Sequence, residues 1–223
     1  MTQAEKGFTL REKKFAKTKI GLMHEFMSRL QTTPFSEIPI KEVCDKLEVS
    51  EGTFYNYFPH KVDLVSYFHK LTTLKITWEV DNSKEKLNNI EMIEHAFSAV
   101  ADEIQEPFLF YEIVSLYASQ HSKPDKRKDI SAAEKIYAFP DYPGIEKIKV
   151  MALEDYFARI IRKAQQEKEL SSDVPADDIV YSLIAILVGI PLAIDMGDFG
   201  KLKKLYKTQL SLLWRGLILK RRK

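Results

Sequence analysis

Apolar residues recur along this chain at steps of three and four almost from end to end, the spacing of a single buried stripe on an α-helix. Thr9-Leu10-Arg11-Glu12 has the form of a capping box, and behind it Ala16, Ile20, Met23, Met27 and Leu30 predict one long amphipathic helix that ends near Thr33-Pro34. A short helix from Ile40 to Leu47 follows, opened by Pro39, whose missing N–H costs nothing at that position. After Glu48-Val49, Ser50 is placed to cap a second short helix, and Glu51 is favoured by the positive end of its dipole. Pro59 interrupts the pattern, and a new helix runs from about Lys61 to about Val80. Beyond Asp81-Asn82-Ser83 the periodicity predicts helices at about 84–105 and 107–121, then a polar loop around Lys123-Pro124-Asp125-Lys126-Arg127-Lys128. A short segment introduced by Ser131-Ala132-Ala133-Glu134 and a turn at Pro140 to Gly144 precede helices at about 145–168, 176–196 and 198–219. No strand-period segment or internal repeat interrupts this series, so the expected fold is all-α, with about nine helices.

The stretch from Ile179 to Ile194 carries no charge. It holds Gly189 and Pro191 and falls short of the roughly 20 apolar residues that a spanning helix needs, so the expectation is a buried helix and no membrane contact. Its apolar residues surround the whole circumference. Packing on one side only would leave a greasy stripe in water, which favours a second copy of the chain meeting the segment 176–219 across a two-fold axis.

Composition narrows the class further. The chain has 223 residues, 45% hydrophobic and 30% charged, with one cysteine, Cys44, so no intramolecular disulfide can form. The N-terminus lacks a secretory pattern, and a cytoplasmic protein is expected. The formal charge is only +2, but it is unevenly spread. Met1 to Leu30 carries +4, Gln31 to Lys70 carries −2, Leu71 to Leu219 carries −4, and Lys220 to Lys223 adds +4. A summed charge near zero therefore hides a basic first helix.

The informative segment is Pro39 to Leu64, PIKEVCDKLEVSEGTFYNYFPHKVDL. Two short helices joined by a tight turn, with Ile40, Val43, Cys44, Leu47, Val49, Phe54 and Phe58 spaced to hold them together, describe a helix-turn-helix. Its second helix is sized for the DNA major groove. Ser50, Gly52, Thr53, Tyr55, Asn56 and Tyr57 would face outward as short polar groups and phenols able to reach base edges or phosphates.

The run from Val49 to Leu64 resembles the recognition helix and the start of the fourth helix in the TetR (tetracycline repressor) family of bacterial transcriptional regulators. Phe35 and the segment Ile40 to Cys44 fit that family's preceding elements, and Trp214-Arg215-Gly216-Leu217 looks like its last helix. Two positions depart from the pattern. Glu48 stands where a glycine usually makes the turn, which predicts a strained or altered turn, and Pro39 stands where a serine or threonine usually caps the second helix. The resemblance implies a helix-turn-helix DNA-binding domain over residues 1–60 and a larger helical effector-binding and dimerisation domain over 61–223. It places Lys41, Tyr55 and Lys61 where phosphates are contacted, and Ser50, Gly52, Thr53 and Asn56 where base edges are approached. Glu51 suits a cytosine amine or the helix dipole equally, and Tyr57 suits a phosphate or packing equally. The helix contains no arginine, so the commonest contact to guanine is missing, and affinity leans on phosphates and on Lys13, Lys14 and Lys17 of the first helix.

The second domain of such a protein holds an apolar pocket. His95 and Tyr111, polar groups among apolar neighbours in sequence, are its first effector-binding candidates. No nucleophile elbow, phosphate-binding glycine loop or zinc spacing occurs, so neither an enzyme, a metal nor a cofactor is expected. Asp198-Phe199-Gly200 reads as a turn between the last two helices, with Gly197 ending one and Asp198 capping the next. The sequence thus predicts a homodimeric, ligand-responsive regulator, a repressor that binds a palindromic operator in double-stranded DNA and is released by a small apolar or amphipathic effector. The alternative is a helical ligand-binding or scaffold protein whose helix-turn-helix has lost its DNA function.

Overall fold

A computed structural model describes residues 7–104, 106–119 and 129–218. The basic segment around Lys123–Lys128 and the tail Lys220–Lys223 lie outside the described residues. Ten α-helices account for most of what is described: α1 (Leu10–Leu30), α2 (Ile40–Lys46), α3 (Glu51–Tyr57), α4 (Lys61–Asp81), α5 (Asn89–Glu103), α6 (Pro107–Ser119), α7 (Ala132–Ala138), α8 (Leu153–Gln166), α9 (Ala176–Ala193) and α10 (Leu202–Leu217). No strand occurs among the described residues, and an isolated antiparallel bridge joins Leu170 to Ile218. The fold is all-α.

The chain forms two compact units, Met1–Lys75 with Phe108–Val150, and Ile76–Pro107 with Met151–Lys223. These units are drawn by packing, and the first runs past the expected boundary at residue 60 because α6 and α7 return to the first helices. In the first unit α1 buries the predicted stripe of Ala16, Ile20, Met23, Met27 and Leu30, together with Leu22 and Phe26. These meet Val43 and Cys44 of α2, Phe54 of α3, Phe58, and Leu64 and Leu71 of α4 in one core. Gly21 lets the end of α2 lie close: a Cβ there would come within 3.0 Å of Leu47 Cδ2.

Across this core runs a buried polar network invisible to periodicity. Lys19 of α1 donates to Glu134 Oε1 of α7 at 2.6 Å, with side-chain exposures of 9% and 3%. Tyr67 of α4 donates to the same oxygen at 2.8 Å. The other oxygen, Oε2, accepts the Ser131 hydroxyl at 2.6 Å and the Ser131 N–H at 2.9 Å, so the capping box of α7 and the ion pair share one carboxylate. Burial alone would raise the Glu134 pKa, but the Lys19 charge and the hydrogen bonds from Lys19 and Ser131 outweigh it and hold the carboxyl below its ordinary range. The same surroundings push the Tyr67 phenol far up, through burial first and the neighbouring carboxylate second.

In the second unit Phe97 of α5 stacks on Phe157 of α8 at 5.6 Å between ring centroids, and Tyr206 of α10 meets Phe97 edge-on at 5.1 Å. Asp81, the last residue of α4, accepts from the Tyr156 hydroxyl at 3.0 Å and from Arg159 at 3.1 Å. Asn88 and Glu91 form a capping box that starts α5 five residues later than the predicted boundary at 84. Pro191 lies inside α9 and leaves the Leu187 carbonyl, four residues back, without its helical donor. The Tyr206 hydroxyl supplies the missing bond at 2.7 Å.

Two sequence expectations need correction. The predicted helix 145–168 is broken: Gly144 takes a left-handed conformation, Ile145–Lys147 form a 3-10 turn, and the α-helix starts only at Leu153. Buried Lys135 accounts for the break by donating to the carbonyls of Glu146 and Ile148, which fixes that strap as a turn. Nor does Asp198 cap the last helix. It sits inside a 3-10 segment, Met196–Lys201, where it pairs with Lys201 at 2.6 Å, and α10 begins at Leu202 without a side-chain cap.

Candidate nucleic-acid interface

The turn between α2 and α3 sets the site. Val49 N–H bonds the Cys44 carbonyl at 3.1 Å and Glu48 N–H bonds that of Asp45 at 3.2 Å, the paired bonds of a Schellman helix end. Glu48 occupies the left-handed position of that motif with φ 55°, so the departure noted in the sequence is a real local strain carried by a residue with a Cβ. Directly after it Ser50 caps α3: its hydroxyl accepts from Thr53 N–H at 3.2 Å and lies 2.9 Å from the Thr53 hydroxyl.

Phe54 and Phe58 face inward and are buried, leaving Glu51, Gly52, Tyr55 and Asn56 exposed and Thr53 and Tyr57 half-buried on the outer face of α3. At Gly52 an added Cβ would meet only Ser50 Oγ, at an ordinary 3.7 Å, so internal packing does not require the glycine. Tyr57 packs edge-on against Phe15 of α1 at 4.7 Å, which gives it a packing role. Lys41 is exposed on the first turn of α2, and Arg11, Lys14 and Lys17 are exposed on α1, with Lys13 half-buried. These side chains and the outer face of α3 belong to the same compact unit.

Lys61 behaves differently. Its ammonium donates to the Phe35 carbonyl and lies 4.7 Å from the Phe35 ring and 5.7 Å from that of Phe26. Burial lowers its pKa. At the same helix start Asp63 accepts the His60 N–H at 2.8 Å, so α4 brings its own carboxylate to its positive end. His95 is exposed on α5, away from the apolar surroundings its sequence neighbours promised. Tyr111 is half-buried on α6 in the other unit, its ring 5.7 Å from that of Phe110. Among the described residues no three His, Cys, Asp or Glu side chains gather as a metal site. Sequence reasoning passed over Lys19, Phe15 and Glu134. Only the Ser131–Glu134 capping box was legible, and nothing local tied it to a lysine 115 residues earlier.

No family model matches the chain, and no curated protein matches it. Solved structures do. A TetR-family transcriptional regulator from Cytophaga hutchinsonii superposes with a TM-score of 0.60 at 14% identity, covering 93% of this chain and 98% of its own. A bacterial regulatory protein of the tetR family from Rhodococcus RHA1 gives 0.56 at 10% identity, with coverages of 89% and 96%. The ketosteroid transcriptional regulator of Mycobacterium tuberculosis gives 0.51 at 11%, covering 91% and 96%. This chain has the TetR-type fold. The likeness runs over nearly the whole length at low identity, so the TetR-type path is kept while the side chains that fill it differ. Within this fold α2 and α3 form a helix-turn-helix, with the outer face of α3 turned away from the core.

Proposed function

We propose that the protein is a ligand-responsive transcriptional repressor of the TetR type, which binds a palindromic operator as a homodimer and is released by a small apolar or amphipathic effector. One observation carries the reading: a capped recognition helix buries Phe54 and keeps a short polar outer face, with a glycine that its own packing does not need. In this reading residues 1–60 read DNA and residues 61–223 bind effector and partner. Ser50, Gly52, Thr53 and Asn56 approach base edges, while Lys41, Tyr55 and the exposed basic residues of α1 hold phosphates. Lys61 reaches a phosphate only by leaving the Phe35 carbonyl. Glu51 reads a cytosine amine or serves the dipole of α3. Tyr57 sets α3 against α1 through Phe15 and offers its hydroxyl to a phosphate. His95 and Tyr111 stand as the effector candidates, each within its own unit.

The homodimer reading rests on α9 and α10. Among the described helices α9 is long and apolar enough to cross a bilayer by length and composition, yet 22% of it is buried within this chain. Tyr181 at 73% exposure and Leu192 at 47% on α9, and Leu212 at 53% on α10, are apolar side chains left uncovered that a second copy would cover. The repressor acts in the cytoplasm, where its operator is. Fluorescence anisotropy against the DNA upstream of its own coding region tests the proposal. Salt-sensitive binding that weakens with Tyr55→Phe and changes sequence preference with Thr53→Ala is the expected result. Absence of salt-sensitive binding to any upstream DNA refutes it and leaves the reading of a helical ligand-binding or scaffold protein.

A further inference from the structure

Behind the recognition helix, in the first compact unit, lies a cleft of about 290 Å³ whose walls include Lys19, Tyr57, Phe58, Ser66, Tyr67 and Lys70. We propose that this cleft is a binding site for a small aromatic carboxylate.

The size suits one ring with a short substituent: apolar cavities of about 150 Å³ already take benzene, and drug-sized pockets begin at about 300 Å³. The walls divide by chemistry. Phe58, Tyr67, Tyr57 and Pro59 offer ring faces and edges for an aromatic body. Lys19 offers something rarer, an ammonium nine-tenths buried whose hydrogen-bonding capacity is not filled. An ammonium has three N–H donors. Among the described residues Lys19 has one oxygen acceptor, Glu134, and its other neighbours are the rings of Tyr67 at 4.2 Å, Phe15 at 5.7 Å and Phe58 at 5.8 Å. A carboxylate entering the cleft would take the donors that now face only π-systems, and a buried charge-assisted bond is stronger than a neutral one. Ser66 adds a hydroxyl and Lys70 a second cation. Asp63 opposes an anion, but its carboxylate is already drawn to the His60 N–H. Selectivity therefore comes from directed donors and ring faces, since the net charge of the lining is small.

The test is calorimetric titration of the full chain, without DNA, by benzoate, with benzyl alcohol and inorganic phosphate as separate probes. Saturable benzoate binding at least about tenfold tighter than either probe is expected, a factor of ten being 1.4 kcal/mol. Ser66→Trp, which fills the cleft, abolishes it, and Lys70→Gln weakens it by about threefold or more. Circular dichroism establishes that each variant is folded, and Lys70→Gln decides if Ser66→Trp is not. No saturable benzoate binding, equal binding of benzyl alcohol or phosphate, or benzoate affinity unchanged in a folded Ser66→Trp overturns the proposal. The readout involves no operator, so its failure leaves the DNA-binding reading standing, and the reverse also holds.

Discussion

Removing one half of the Lys19–Glu134 pair should cost far more than removing both. With exposures of 9% and 3%, neither side chain can turn to water when its partner is lost. Breaking a buried pair from one side typically costs about 3–5 kcal/mol, and the asymmetry of the network places the two variants within that range. In Lys19→Met the Glu134 carboxylate keeps the Tyr67 hydroxyl and both Ser131 donors, so a loss of about 3 kcal/mol is expected. In Glu134→Leu the ammonium is left with ring faces alone, and the loss should approach about 5 kcal/mol. The double variant removes both charges, and its cost should fall below the sum of the singles by at least about 2 kcal/mol. Urea unfolding followed by helical circular dichroism measures all four corners of the cycle. Single costs that add to within about 0.5 kcal/mol would show that the two groups do not compensate each other and would refute the reasoning. Acid provides an independent check. Because the folded Glu134 carboxyl lies below its ordinary value of 4.5, its contribution is present above that pH and lost as pH falls through the folded value. Lys19→Met should therefore flatten the loss of stability below about pH 4.5.

Glu48→Gly should stabilise the chain: the left-handed conformation costs a side-chain-bearing residue about 1–2 kcal/mol, and glycine returns about 0.5–1 kcal/mol of that as unfolded-state entropy. A gain near 0.5–1 kcal/mol in urea unfolding is expected, and a loss would show that Glu48 makes a compensating contact. Tyr206→Phe leaves the partly buried Leu187 carbonyl without a donor and should cost about 1 kcal/mol. If it costs nothing, Pro191 has not orphaned that oxygen. Lys41→Ala should weaken DNA binding uniformly across sequences and lower the salt slope by about one, whereas a change in sequence preference would move Lys41 from phosphate to base contact. Tyr181→Asp with Leu212→Asp should bring the mass by light scattering to that of one chain, and an unchanged oligomer would place its interface elsewhere.

What the sequence made legible was local. Thr9 with Glu12, Ser50 ahead of α3 and Ser131 with Glu134 are capping signals written within four residues, and each marks a true helix start. The left-handed Glu48 was readable for the same reason, since one residue in one turn carries it. Most of the misses involve partners farther along the chain. Lys19 looks like a surface cation of an amphipathic helix until α7 arrives with Glu134. Helicity from 145 to 152 fails because Lys135 captures two carbonyls of the strap. Lys61 sits at a helix start that suits a phosphate, yet its side chain folds to a carbonyl 26 residues away. His95 was placed among apolar neighbours in sequence, but the helical turn carries it to the opposite, solvent-facing side.

The bond from Tyr206 to the Leu187 carbonyl has a kinetic consequence. It clasps α10 to α9 within one chain, at the point where Pro191 would otherwise loosen the helix. Whatever covers the apolar face of these two helices thus meets a surface already shaped, and little chain freedom remains to be lost on contact. Association through this face should proceed as rigid docking, with a rate set by encounter and orientation. Without the clasp, as in Tyr206→Phe, α9 would have to be ordered on arrival and the same surface would join more slowly.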